Sequence, residues 1–183
     1  MINEISIVIG SWGSYNACNK RALGSKWLNL SDFDSWDEIE EELKKEGFIL
    51  DGIDAELFIQ DIDGFPCRHC NWDYIHPKTF FEIIKESEVL DSYHKFEKME
   101  AYLEIRDYDD FENLVNSDGC NWDDDIYLYP GQDWEGFGRE YFENCGYKLP
   151  SNLKDFIDFE AYGKYIGDYY AYEYSNGIIE ICR

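Results

Sequence analysis

The sequence predicts an α+β protein assembled from about three small units: an antiparallel sheet with one helix, a helical middle, and helices with an antiparallel hairpin or sheet. Three observations carry this reading. Strand-like runs sit at both ends, helical periodicity fills the centre, and 18% aromatic residues supply core material for a 183-residue chain. Splitting at the loop-like "DGFPCRHC" and just after Phe111-Glu112 gives segments 1–66, 67–113 and 114–183.

In chain order, "ISIVIG" (5–10), "KWLNL" (26–30) and "AELFIQ" (55–60) read as strands. Between the last two lies "SWDEIEEELKKEG". Ser35 and Glu38 form a capping box, Gly47 is the stop, and Trp36, Ile39 and Leu43 share one face. Pro77 opens "PKTFFEIIKESEVL", and "DSYHKFEKMEAYLEIRD" carries Phe96, Met99, Tyr102 and Leu103 as a buried stripe. "DWEGFGREYFENCG" and "SNLKDFIDFEAYGKYI" are two further helices. "YYAYEYSNGIIEIC" gives two strands turning at Ser175-Asn176-Gly177, because the Asn-Gly pair tolerates positive φ.

The formal net charge is -24, from 40 acidic residues against 16 Lys and Arg. Acids and bases number 14 and 5 in residues 1–66, 12 and 6 in 67–113, and 14 and 5 in 114–183, so the segments carry -9, -6 and -9. The charge is therefore laid along the whole chain. Direct nucleic-acid binding is excluded because phosphate is repelled everywhere. The start lacks a basic region before its short apolar run, no stretch is long enough to span a membrane, and six cysteines without a secretion signal read as reduced thiols. The expected location is cytoplasmic.

Chemical sites are poorly supported. Cys67 and Cys70 form a CxxC with His69 inside and His76 nearby, but no second close pair completes a zinc ribbon. "DFDSWDEIEEEL" places Trp36 in a liganding slot of a calcium loop and has no Gly at its turn. No nucleophile elbow, P-loop or dinucleotide fingerprint occurs, and forty acids offer no means of choosing a catalytic two. No enzyme activity, metal or cofactor is expected.

What recurs is an acid directly after an aromatic: Phe33-Asp34, Trp36-Asp37, Trp72-Asp73, Tyr108-Asp109, Phe111-Glu112, Trp122-Asp123, Trp134-Glu135, Phe142-Glu143 and Phe159-Glu160. Neighbours diverge on a helix or strand, so an inward ring holds an outward carboxylate in place. In "CNWDDD", Trp122 is then the anchor and Asp123, Asp124 and Asp125 are surface charges. The expected acidic surface comprises Asp32, Asp34, Asp37, Glu38, Glu41, Glu42, Asp107, Asp109, Asp110, Glu112, Asp118, Asp123, Asp124, Asp125, Asp133, Glu135, Glu140, Glu143, Asp155 and Asp158. Duplex DNA carries one charge per roughly 1.7 Å, so a charge of this size matches about 40 Å of duplex, enough to compete for a basic groove. An acidic immunity or interaction protein that neutralises a basic toxin or nuclease is the alternative reading.

The ends also resemble a family. "IVIGSWGSYN" followed by "LGSKWLNL" is similar to the opening of the ArdA-type antirestriction proteins: a strand, a Gly-x-Tyr-Asn turn, then a Leu-Gly-x-x-Trp strand. "LPSNLKDFIDFEAYGKYI" and "YSNGIIEI" resemble that family's closing helix and hairpin, while the middle matches only in helical character and acidity. The turn from Ala17 to Ala22 is longer than the family's, and Tyr165-Ile166 stand where an acid is expected. The resemblance implies an elongated, three-domain homodimer, carried by a mobile element. It implies a DNA mimic that occupies the DNA-binding groove of type I restriction–modification enzymes, blocking restriction and often modification. It names no catalytic residue.

Overall fold

The structure, a computed structural model, describes residues 4–66, 70–117, 121–147, 150–154 and 156–182. It is α+β, with two three-stranded antiparallel sheets among the described residues. The first has order β2-β1-β3, from β1 (Ser6–Ser11), β2 (Leu28–Asn29) and β3 (Leu57–Asp63). Ile5, Ile7 and Ile9 lie on its core side. β2 is shorter than the predicted "KWLNL" strand because Leu30–Asp32 turn into a 3-10 helix, whose start is held by the Asn29 side chain accepting from the Ser31 amide. The Gly-x-Tyr-Asn stretch is a short helix, α1 (Trp12–Asn16), rather than a plain turn.

A buried polar knot fastens this end. Asp54 is fully buried and accepts from the Ser14 hydroxyl and from the Ile49 amide at 2.8 Å, with Arg21 Nε at 2.9 Å. Burial alone pushes its carboxyl up, but the hydrogen bonds from Ser14, Ile49 and Ser11 and the Arg21 charge outweigh it and hold it below its ordinary value. A depressed pKa stabilises the fold above about pH 4, the unfolded carboxylate value, and that stabilisation is lost as pH falls through the folded value. Asp54→Asn is therefore expected to lower stability at pH 7 and to flatten the acid-unfolding transition followed by tryptophan fluorescence.

α2 (Trp36–Lys45) buries Trp36, Ile39 and Leu43, as its spacing predicts, and ends at Gly47 with φ +93°. The capping box does not form. Ser35 makes no side-chain cap bond; Glu38 instead reaches one residue further back and accepts from the Asp34 amide at 2.8 Å.

The middle contains α3 (Pro77–Glu86), α4 (Tyr93–Ile105) and α5 (Tyr108–Val115). Pro77 is in the first turn of α3, and the His76 ring caps it by accepting from the Lys78 amide at 3.2 Å. Burial, then the nearby Lys78 charge, lowers the His76 pKa, which favours the neutral ring that can accept. Met99, Tyr102 and Leu103 of α4 are buried, and Phe96 is half-buried. The residues after Phe111-Glu112, read as loop-like, are helical instead: α5 runs through them with Phe111, Leu114 and Val115 buried.

β4 (Ile126–Pro130), α6 (Trp134–Asn144), α7 (Ser151–Lys154), α8 (Phe159–Gly167), β5 (Ala171–Tyr174) and β6 (Gly177–Ile181) complete the chain. The single helix expected over "SNLKDFIDFEAYGKYI" is two helices, because Asp158 leaves helical geometry and caps α8 by accepting from the Ala161 amide at 2.9 Å. The hairpin forms, but Asn176 does not take positive φ; Gly177 does, at φ +148°, as the first residue of β6.

The second sheet, order β4-β6-β5, is covered on both faces. Ile126, Leu128, Tyr172 and Ile179 join the large core shared with α3, α4, α5 and the first sheet. Tyr129, Ala171 and Ile178 join a smaller core around Phe137 of α6. α6 and α8 cross closely because Gly138 and Gly163 meet there. A Cβ on Gly138 would lie 2.2 Å from the Phe159 carbonyl, and one on Gly163 would lie 2.2 Å from that of Trp134. No helix among the described residues is long and apolar enough to cross a membrane.

Candidate functional site

The carboxylates sit mainly on helix starts and on outward helix faces. Asp32 ends the 3-10 turn, Asp34 precedes α2, and Asp37, Glu38 and Glu41 project from α2 opposite its buried face; all five are exposed. Glu42 is different: it is half-buried and paired with Lys26 and with Lys45 at 3.0 Å. Hydrogen bonds from Lys26 and then Lys45 lower its pKa below the usual value, so part of its charge is already matched.

Asp107, Asp133 and Asp158 cap α5, α6 and α8. Each accepts one backbone amide at 2.9 Å, from Asp110, Gly136 and Ala161 respectively. A cap of this kind fixes a carboxylate relative to the backbone while the rest of the group faces water. Asp109 and Asp110 add two exposed acids in the first turn of α5, and Glu112 is half-buried one turn later. An acid at such a start also gains about 0.3–1 kcal/mol from the helix dipole. On α6, Glu135 is exposed but paired with Arg139 at 2.8 Å, Glu140 accepts from Gln132, and Glu143 is exposed. Asp118 and Asp155 lie outside the described residues.

In every aromatic–acid pair but one, the acid reaches solvent beside a more buried ring. The exception is the pair in "CNWDDD". Trp122 is indeed an anchor, buried and donating Nε1–H to the Ser87 carbonyl at 2.9 Å. Asp123 is not a surface charge. It is 9% exposed and lies against Lys98, itself 8% exposed, whose Nζ donates to the Asp123 carboxylate at 3.0 Å and to its carbonyl at 2.7 Å. The cause is a turn: the Asp124 and Ile126 amides donate to the Asn121 and Asp123 carbonyls, folding Asp123 inward against α4. Asp124 remains exposed, and Asp125 is half-buried.

Of the expected surface, Asp32, Asp34, Asp37, Glu38, Glu41, Asp107, Asp109, Asp110, Glu112, Asp124, Asp133, Glu140 and Asp158 have no ion pair among the described residues. They come from both ends and the middle of the chain. Sequence reasoning missed one acidic face. Glu97, Glu100 and Glu104 recur at helical spacing on α4, the side away from its buried stripe. The i, i+3, i+7 pattern was legible, but the apolar stripe of the same helix drew the reading.

No group of three or more His, Cys, Asp or Glu among the described residues is placed to hold a metal ion. Cys67 and His69 of the CxxC fall outside the described residues. Cys70 is disulfide-bonded, which corrects the expectation of reduced thiols at that position, whereas Cys18, Cys145 and Cys182 are free.

Against known proteins, the family description "Antirestriction protein (ArdA)" matches residues 7–180, nearly the whole chain. No curated protein matches it.

Proposed function

Because the chain belongs to the ArdA antirestriction family, we propose that it acts as an acidic mimic of duplex DNA, seated in the DNA-binding groove of type I restriction–modification enzymes. The observation that supports this best is the set of exposed carboxylates without ion pairs, fixed on the starts and outer faces of α2, α5, α6 and α8. Carboxylates held by backbone caps keep their spacing, as phosphates do on a duplex. A groove that binds DNA by releasing counterions gains the same release from such a surface. The segments 1–66, 67–113 and 114–183 supply successive stretches of an elongated negative surface, and a homodimer doubles its length. In the cytoplasm of a cell receiving a mobile element, this blocks cleavage of the incoming DNA and, when the methyltransferase core is the part occupied, modification as well.

Competition tests it. Purified protein is expected to displace a labelled duplex from a type I methyltransferase core at near-stoichiometric ratio, and less effectively as salt rises. Undisturbed DNA binding at low salt would sink the reading.

A further inference from the structure

Two clefts, of about 660 Å³ and 490 Å³, flank β4 and share His94, Leu128 and Pro130. Between them runs an open strand edge. In the order β4-β6-β5, β4 has a strand neighbour on one side only among the described residues. The Cys182 amide donates to the Asp125 carbonyl and the Gly131 amide to that of Asn176, so odd-numbered residues of β4 turn their backbone groups toward β6. By alternation, the Leu128 amide and carbonyl point outward, into the space the two clefts share. Pro130, on the same outward register, has no amide to offer.

The walls are acidic. Glu97, Glu100 and Glu104 face the larger cleft from α4, and Glu140 faces the smaller one. Lys98 is the cation beside the smaller cleft, and it is buried against Asp123. Burial, then the like charges of Glu97 and Glu104, raises the Glu100 pKa. The floor is apolar, from Phe65, Ala101 and Leu128. Glu104 also accepts from the Ser175 amide and hydroxyl, both at 2.6 Å, so the β5–β6 turn is held in place as one rim.

We propose that this groove binds an extended basic peptide segment, which pairs with the outer edge of β4 and sets its arginine or lysine side chains against Glu97 and Glu100. Edge pairing supplies main-chain hydrogen bonds and the acidic wall supplies the choice of partner. Whatever surface joins the homodimer, a second copy in this groove would set further carboxylates against Glu97, Glu100 and Glu104, since acids outnumber Lys and Arg 40 to 16. The inference rests on the proposed function only for its partner, a basic protein, and adds to it a point where the partner's chain enters the inhibitor.

The probe is the synthetic peptide Arg-Val-Arg-Val-Arg, titrated into the full-length, isotopically labelled protein and followed by amide NMR. The Leu128 amide is expected to shift and to exchange more slowly. Glu97→Gln with Glu100→Gln is expected to weaken binding about tenfold. Asp37→Asn with Glu41→Gln, which removes the same charge from α2, should change it less than about twofold. Leu128→Pro removes the outward amide and is expected to weaken peptide binding as read at the Ser175 amide, while the loss of the Leu128 side chain from the core lowers the melting temperature somewhat. Equal weakening by both charge pairs, an unmoved Leu128 amide, or a Leu128 shift that grows with protein concentration alone would overturn the proposal. DNA displacement measured on the unsubstituted protein bears on the mimic reading only, so the two can fail separately.

Discussion

Replacing Asp34, Asp37, Glu41, Asp107, Asp109, Asp110 and Asp133 together by their amides is expected to abolish displacement of DNA from a type I enzyme. The loss should reach on the order of 100-fold or more, because each exposed charge contributes one counterion's worth of salt-dependent affinity. Any one of these changes alone should cost less than about threefold. The set is chosen to keep the fold. None of the seven is ion-paired among the described residues, and Asn at positions 107 and 133 still caps α5 and α6. Melting temperature should change little, since relief of self-repulsion offsets the lost helix-dipole contributions. The check is a displacement titration at several salt concentrations, beside a thermal melt. If one of the seven substitutions removed inhibition while the protein stayed folded, the activity would belong to a discrete site and not to a distributed surface.

Lys98→Met should give a large loss of stability for a single charged residue. Lys98 is matched to a largely buried carboxylate, and removing it leaves Asp123 with only the more distant Lys95. Stranding one member of a buried pair costs about 3–5 kcal/mol. Lys95 lies 3.7 Å from the same carboxylate and recovers a little of this. The double variant Lys98→Met with Asp123→Leu should regain most of the loss, because two apolar side chains replace two charges. Denaturant unfolding measures both. Asp123→Asn should leave the salt dependence of inhibition unchanged, unlike the exposed acids, because its charge never faces a partner.

Much of the fold is legible in local pattern. Trp36, Ile39 and Leu43 announce the buried face of α2, Pro77 announces the start of α3, and Asn176-Gly177 announces the hairpin. What escapes local reading depends on distant partners. "IYLYP" is five residues ending in proline, and it becomes β4 only because β6, some fifty residues later, pairs with it. Asp123 reads as one of three surface acids until Lys98, 25 residues earlier, takes it inside. The break between α7 and α8 turns on one aspartate that is a better cap than a helix interior residue. The acidic surface was readable as a composition and as an outward-facing habit of α2 and α5. Which carboxylates stay unmatched was not readable, because lysine reach is set by the folded chain.

Ile178 and Ile179 are neighbours in sequence, yet they feed different interiors, one beneath α6 and the other against α4. A slip of β6 by one position would exchange them and spoil both interiors at once, so pairing errors in this strand are doubly penalised. It also means that a chain emerging from the ribosome cannot seal the larger interior, begun at Ile5, until Ile179 has been made. The first sheet pairs wholly within residues 6–63 and has its partners early, whereas the wall that β6 supplies is made last.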